Sequence, residues 1–90
     1  MTESQAEAGQ RLFILEARND DDAILRVLGC FAVQQARLVE TRAVADGPRL
    51  SMRIIAEGLS ASRAERLRQR LCELPLAASV SVGWSGAPAG

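Results

Sequence analysis

Short runs of apolar or alternating residues mark four stretches of this chain, and their length and spacing predict four strands. The predicted strands are Arg11–Ala17, Ala36–Val44, Leu50–Glu57 and Ser79–Trp84. The first run is almost unbroken in apolar character, which favours a central strand covered on at least one face. The second mixes charged with apolar residues, as edge strands do. Asp46-Gly47-Pro48 predicts a hairpin between the second and third strands.

Two other stretches carry apolar residues three and four positions apart, the spacing of one helix face. The first predicted helix runs from about Asp20 to Gln34. Its stripe comprises Ile24, Leu28 and Phe31, widened by Leu25 and Val27. The stripe of the second helix comprises Ala64, Leu67, Leu71 and Leu74. An S-x-x-E capping box of Ser62 and Glu65 predicts the start of that helix, and Pro75 predicts its end.

The resulting order, βαββαβ, predicts an α+β ferredoxin-like sandwich. We expect a four-stranded antiparallel sheet of order 4-1-3-2, with both helices on one face. Leu50, Met52, Ile54 and Ala56 should face the helices, and Ser51, Arg53, Ile55 and Glu57 should lie on the open face. The predicted domain spans residues 10–85, between polar tails at 1–9 and 86–90 that we expect to be disordered.

Composition argues against several classes of function. The 90 residues include 11 basic and 11 acidic side chains, so no net field favours nucleic acid or an anionic membrane. Histidine is absent, which removes the commonest general base and metal ligand. Cys30 and Cys72 lack zinc or redox spacing, and we interpret both as small interior or interface residues. We therefore expect no catalytic residue, no metal, no cofactor and a cytoplasmic location.

The same fold serves other functions, whose required residues are missing from this sequence. An RNA-binding sheet needs aromatic stacking platforms, whereas the predicted open face of the third strand offers Ser51, Arg53 and Ile55. A copper carrier of this shape needs paired thiols in the first loop. An acylphosphatase needs a glycine-rich loop with arginine at that position. The first loop instead consists of Asn19 and three aspartates.

That first loop is the candidate site. Asn19, Asp20, Asp21 and Asp22 offer acceptors and negative charge at a helix start. On local sequence they favour a helix cap, and they also fit a place where a small polar ligand meets backbone N–H groups. The arginines of the second helix, at positions 63, 66, 68 and 70, fit either a solvated face or a docking surface for an acidic partner.

The first loop and helix also carry a resemblance to a known family. Residues matching the pattern N-x-P-G-A-L-x-R-V-x-G-L-F are Asn19, Ala23, Arg26, Val27, Gly29 and Phe31. The pattern opens the ACT domain of acetolactate synthase small subunits, which this chain therefore resembles over about residues 11–84. Outside the first loop and helix, the similarity lies in element order and hydrophobic pattern.

The resemblance implies a noncatalytic subunit of branched-chain amino acid biosynthesis. Such subunits bind and activate a large thiamine-diphosphate-dependent subunit, and many transmit feedback inhibition by valine. Their ACT domains pair side by side as homodimers, with an amino acid effector at the interface. The matching effector positions are Asn19, Asp20, Asp21, Asp22, Ala23 and Ile24, with Leu38 and Val39 across the interface. One alternative is a stand-alone ACT domain that binds an amino acid and regulates another metabolic enzyme. A weaker one is an interaction module with no small ligand.

Two departures from the family pattern matter. Asp21-Asp22 replaces Pro-Gly, and Gln35 replaces the glycine that ends the first helix. Glycine lets a ligand approach the backbone closely, whereas an aspartate adds bulk and repels an amino acid's carboxylate. We therefore expect weak or no valine binding, as in the short, effector-insensitive class of small subunits.

Overall fold

The computed structural model describes residues 10–84. Its elements are β1 (Arg11–Arg18), α1 (Ala23–Val33), β2 (Arg37–Asp46), β3 (Arg49–Glu57), α2 (Ala61–Glu73) and β4 (Ala77–Trp84). Neither helix within this range has the length and apolar character needed to cross a membrane. The predicted tails, residues 1–9 and 86–90, lie outside the described residues.

The four strands form one antiparallel sheet in the order β2-β3-β1-β4. This order confirms the predicted ferredoxin-like βαββαβ topology. β1 is central, as its apolar run predicted, because it pairs with both β3 and β4. β2 pairs only with β3 and forms one edge of the sheet, as its mixed polarity predicted.

One face of the sheet packs against both helices. Alternate residues of β1 and β3 are buried there, including all four β3 residues predicted to face the helices. Phe13 of β1 meets Phe31 of α1 edge to face, with ring centroids 4.9 Å apart. Aromatic pairs in this geometry contribute about 0.5–1.5 kcal/mol beyond the area they bury. The two rings join the first helix to the central strand.

The core-facing side of α1 agrees only in part with the predicted one: Val27 and Phe31 are buried as predicted, and Leu28 packs against the core. Its buried residues are Ala23, Val27 and Phe31, whereas Ile24 and Leu25 are 40% and 73% exposed. Nearly every position of α1 is apolar, with Arg26 as its one charged residue. The pattern therefore allowed more than one stripe. Close packing on the sheet selected the stripe that begins with the small Ala23.

The end of α1 forms a Schellman motif without glycine. The N–H of Ala36 donates to the carbonyl of Phe31, and the N–H of Gln35 donates to the carbonyl of Ala32. Gln35 has a φ of 58°, the left-handed conformation that glycine usually adopts at this position. The replacement noted in the sequence therefore keeps the backbone geometry and leaves a strained side-chain-bearing residue there.

The second helix buries Ala64, Leu67 and Leu71 as predicted, and it ends just before Pro75. Its predicted capping box is wrong. Ser60 is the N-cap, and its hydroxyl accepts a hydrogen bond from the N–H of Arg63 at 3.3 Å. Ser62 lies inside the first turn of the helix. The true cap lies two residues earlier and needs no glutamate.

β2 and β3 are joined by the predicted hairpin, in which Asp46 pairs with Arg49 around Gly47 and Pro48. Gly47 has a φ of 61°, the positive value that the first position of a two-residue II′ turn requires. β2 is unburied over its whole length, with a bulge between Leu38 and Glu40. This edge is therefore open to another strand.

The open face of β3 carries the residues predicted for it, but one of them is buried there. Ser51 and Arg53 are exposed, but Ile55 is only 8% exposed. Ile55 lies in register between Leu12 of β1 and Glu40 of β2, whose side chains share this face. The open face therefore carries a small apolar centre of its own.

Candidate functional site

The first loop is tied to the β2–β3 hairpin rather than only to its own helix. The backbone N–H of Asn19 donates to the carbonyl of Pro48 at 3.0 Å. The Asn19 side-chain amide donates to the carbonyl of Gly47 at 3.1 Å. Asn19 was predicted to accept from the helix start, and it donates across the fold instead. The loop and the end of β2 therefore form one hydrogen-bonded unit.

The aspartates do not cap α1 with their side chains in the predicted way. Asp22 occupies the N-cap position, and its side chain accepts no capping hydrogen bond. Its carboxylate accepts from Nε of Arg26 at 2.8 Å, four residues on. That hydrogen bond, aided by the charge of Arg26, holds the pKa of Asp22 below its usual value. Asp22 is therefore ionised at neutral pH and paired along the helix.

The charge of the loop is smaller than three carboxylates suggest. Arg18 pairs with Asp20 at 3.1 Å, and Arg26 pairs with Asp22. Within residues 10–84, Asp21 has no cationic partner of this kind. One net negative charge therefore remains beside the start of α1. A ligand carboxylate at that point meets repulsion from Asp21.

The other predicted site residues fall into two groups. Ala23 is fully buried beneath the loop, and Ile24 is partly exposed next to it. Leu38 and Val39 lie at the opposite end of β2 from the hairpin, about 25 Å from Gly47 along the strand. A single chain therefore does not bring Leu38 and Val39 to the first loop.

The exposed residues of α1 divide between two flanks. At 100° per residue, Ile24 and Leu28 lie on one flank, and Gly29 and Val33 lie on the other. The second flank faces α2, because Arg70 of α2 joins it in lining one pocket. The first flank therefore faces the β2 side of the helix layer.

That pocket was not predicted from the sequence. It has a volume of about 170 Å³ and is lined by Arg26, Gly29, Cys30, Val33 and Arg70. We call it the interhelical groove. Burial raises the pKa of the Cys30 thiol, and the charge of Arg70 partly opposes that rise. The groove therefore carries a neutral thiol beside cationic groups. Cys72, by contrast, is exposed, so it is not an interior residue, and its interpretation as an interface residue stays a prediction.

Comparison with known proteins finds likeness in structure rather than in sequence. No protein-family model matches this chain. No curated protein sequence matches it either.

Solved structures do match the fold. The ACT domain of GTP pyrophosphokinase from Chlorobium tepidum superimposes with a TM-score of 0.75 at 7% identity, covering 82% of this chain and 96% of that one. The C-terminal domain of the MgtC protein from Mycobacterium tuberculosis gives a TM-score of 0.72 at 14% identity, covering 90% and 92%.

A formyltetrahydrofolate deformylase from Pseudomonas putida KT2440 gives a TM-score of 0.66 at 11% identity. The match covers 84% of this chain and 29% of the deformylase. At these identities the likeness concerns the fold alone. The chain has the ferredoxin-like βαββαβ fold of ACT domains.

Proposed function

We propose that this chain is a noncatalytic regulatory subunit of acetolactate synthase in branched-chain amino acid biosynthesis. In this role it acts in the cytoplasm, where it binds and activates the large, thiamine-diphosphate-dependent subunit. The observation that carries the proposal is the register of the first loop and helix with the family pattern on an ACT fold. Of the matching residues, Ala23, Val27 and Phe31 form the core-facing side of α1, and Asn19 ties the loop to the hairpin.

The proposal includes a homodimer formed through the β2 edge. The edge offers unpaired backbone groups, and apolar side chains of α1 and β2 lie beside it, including Ile24, Leu38 and Val39. In a two-fold antiparallel pair that continues the sheet, one residue must lie opposite its own copy. The middle residues of β2 are Thr41 and Arg42.

Charge selects between these two registers. Centring on Arg42 sets like charges opposite each other, which is destabilising. Centring on Thr41 sets Glu40 of each copy opposite Arg42 of the other, giving two favourable cross-strand pairs. Within one chain Glu40 and Arg42 already form an exposed ion pair at 3.3 Å. The Thr41 register therefore builds a cluster of four alternating charges on the two-fold axis.

The same register assembles the proposed effector site. Antiparallel pairing brings the second copy's Leu38 and Val39 near the hairpin end of this copy's β2. The hairpin holds Asn19, so the two groups of site residues meet only between copies. Valine binding at this site is weak or absent, because Asp21 stands beside the position that a ligand carboxylate must occupy.

The decisive test measures acetolactate formation by the large subunit of the same organism, titrated with this chain, with and without valine. Saturable activation that valine does not change is the expected result. A chain that neither activates the large subunit nor forms a complex with it in gel filtration would contradict the proposal. That result favours a stand-alone ACT domain regulating another enzyme. A thermal-shift screen over amino acids would then find its ligand.

Calorimetry tests the effector site separately. We expect no micromolar valine dissociation constant for the unaltered chain. Replacing Asp21 and Asp22 by Pro and Gly should create measurable valine binding. The matched D21N/D22N variant removes the charges and keeps the bulk, so comparing the two variants separates repulsion from steric exclusion. Micromolar binding by the unaltered chain would refute this part of the proposal.

The dimer register is tested with two charge variants. E40R places two arginines on each β2 edge, and R42E places two glutamates there, so each variant alone should dimerise about tenfold more weakly or worse. Mixing the two variants should restore the dimer, because every facing pair then has opposite charges. Both variants lose the ion pair within the chain, so only pairing between copies explains recovery. Unchanged dimers of each variant alone would exclude this register.

A further inference from the structure

The flank of α1 that faces α2 exposes apolar surface that the core does not use. Val33 is 67% exposed, and Gly29 is open, since a Cβ there would have no neighbour within 4 Å. Leu25 stands at the outer crest of the same helix, 73% exposed. A helix that is apolar on every side is normally covered on every side. The β2 edge lies on the opposite flank, so pairing through that edge does not cover this surface.

Across the groove, α2 presents a row of arginines. Arg63, Arg66 and Arg70 are spaced by three and four residues, so they lie along one side of the helix. That side faces α1, because the Arg63 guanidinium donates to the carbonyl of Gln34 at the end of α1. Arg70, two turns further on, lines the interhelical groove with Arg26. The two helices are therefore antiparallel, and the row follows the groove.

Among residues 10–84, no arginine of this row forms an ion pair with a carboxylate, and Arg63 is instead held by the carbonyl of Gln34. Five other arginines of the described region form ion pairs, at positions 18, 26, 42, 49 and 68. Within residues 10–84, Arg66 and Arg70 form none. Like charges four residues apart on a helix disfavour each other. The α1-facing side of α2 thus holds two adjacent guanidiniums available to an external carboxylate.

The groove has the size of a single side-chain pocket. Its volume is about 170 Å³. A cavity of about 150 Å³ is large enough to hold benzene. Its lining combines apolar surface with the guanidiniums of Arg26 and Arg70. One aliphatic or aromatic side chain therefore fits in the groove. The segment that carries it should be acidic, because guanidiniums line the groove.

We propose that the interhelical groove docks an acidic amphipathic helix from a partner protein. One apolar side chain of that helix enters the groove between Gly29 and Val33. Two carboxylates four residues apart on the same helix pair with Arg66 and Arg70, whose spacing they match. This is the helix-in-groove mode of recognition, with charge setting the orientation. A bilayer surface offers no side chain of this kind to fill the groove, so a protein partner is favoured.

The identity of the partner rests on the proposed function: the large subunit of acetolactate synthase supplies the helix. The surface and its chemistry do not depend on that identity. The test therefore has one arm with a synthetic helix and one with the large subunit.

The first arm uses a fluorescein-labelled helical peptide of about 14 residues built from Leu, Ala and Glu, with leucines on one face and glutamates four apart beside them. We expect saturable binding by fluorescence anisotropy. R70E should weaken it about tenfold or more, because an attractive charge pair becomes repulsive. The matched control R53E makes the same charge change on the exposed face of β3 and should leave binding unchanged.

A second pair of variants tests the groove without removing charge. A Cβ at Gly29 would have no neighbour within 4 Å, so G29L should extend a side chain into the groove and abolish peptide binding. G29A adds a single methyl group and should retain most of it. Circular dichroism should show both variants folded, because the added atoms enter open space.

Three results would overturn the proposal. The first is equal binding of a scrambled peptide of the same composition, which lacks an apolar face. The second is undiminished binding by both R70E and G29L. The third is binding to phosphatidylglycerol vesicles with no binding to the peptide, which would assign the surface to a membrane.

In the second arm, R70E and G29L should require higher concentrations than the unaltered chain to activate the large subunit. Normal activation by both variants would exclude the groove as the large-subunit site. If the unaltered chain fails to activate, the proposed function fails, and the peptide arm still decides whether the groove binds an acidic helix.

Discussion

The two helices pack on the same face of one sheet. Their inner faces are both apolar, whereas their outer faces differ in polarity. α1 buries Ala23, Val27 and Phe31, and α2 buries Ala64, Leu67 and Leu71. Outward, α1 shows mainly apolar residues, whereas α2 carries Arg66 together with an ion pair of Glu65 and Arg68. Each helix buries three residues on its inner face. The outer faces contribute less to the core, so their composition can differ without changing the fold.

The apolar surface of the described region is unevenly distributed. Six of its seven exposed large apolar side chains lie on α1 and β2. They are Ile24, Leu25, Val33, Leu38, Val39 and Val44. None of the seven lies on α2. Since contiguous exposed apolar surface marks interaction sites, the α1 and β2 half is where we expect partners.

The largest loss of stability should come from truncating a buried residue of either helix. Phe31→Ala and Leu67→Ala should lower the free energy of unfolding by about 3–5 and 2–5 kcal/mol, because each leaves a cavity. Leu25→Ala, on the outer face of α1, should change it by less than about 0.5 kcal/mol. Urea unfolding measures all three. A Leu25→Ala loss as large as that of Phe31→Ala would mean that the outer face also contributes to the fold.

The next largest difference in stability should come from substitutions at the starts of the two helices. Ser60→Ala removes the side-chain cap of α2 and should cost about 1 kcal/mol. Asp22→Ala should cost less, because Asp22 makes no capping hydrogen bond and only an exposed ion pair. Thermal unfolding of both variants at neutral pH checks the order. Equal losses would indicate that the Asp22 carboxylate caps α1 in solution.

The ends of the helices allow a gain in stability. Gln35→Gly relieves the left-handed backbone at the end of α1 and should raise the free energy of unfolding by about 0.5–1 kcal/mol, after the entropy of the unfolded glycine is deducted. Gln34→Gly, one residue earlier at a negative φ, is the matched control and should not stabilise. Urea unfolding distinguishes them. A loss on Gln35→Gly would show that its side chain makes a compensating contact.

The smallest expected effect is on the stability of the fold at acid pH. The hydrogen bond from Arg26 lowers the pKa of Asp22, and that from Arg68 lowers the pKa of Glu65. The stability that each carboxylate adds is fully present above its ordinary pKa, 3.8 for Asp and 4.5 for Glu. It is lost as the pH falls through the lower folded value. Asp22→Asn and Glu65→Gln should each flatten the acid limb of the melting temperature slightly. An unchanged limb would mean that these exposed pairs contribute nothing.

The sequence was most informative where polar and apolar residues contrast. The alternation in β3 and the stripe of α2 predicted the buried faces of both elements, and the order of elements predicted the sheet. α1 lacked that contrast, so its buried face was predicted only in part: Val27 and Phe31 are buried as predicted, whereas Ile24 and Leu25 are exposed and Ala23 is buried instead. The misplaced cap has a similar cause, since Ser60 and Ser62 both suit a helix start.

The groove could not be predicted for another reason. Its lining combines α1 residues, between Arg26 and Val33, with Arg70 of α2. No local sequence pattern links these positions. The role of Asn19 was missed for the same reason, because its hydrogen-bond partner lies 28 residues away. The one sequence signal for the groove was the scarcity of polar residues on α1.

The bonds from Asn19 to the hairpin have a consequence for how the chain can be monitored. They close a loop of the chain that contains α1 and β2. Local opening of the β2 edge strand and of the first turn of α1 should therefore be coupled. Amide hydrogen exchange at Asn19 should therefore report on local opening at the hairpin end of β2. Its protection should rise when anything occupies the sheet edge, because local opening there then becomes rarer.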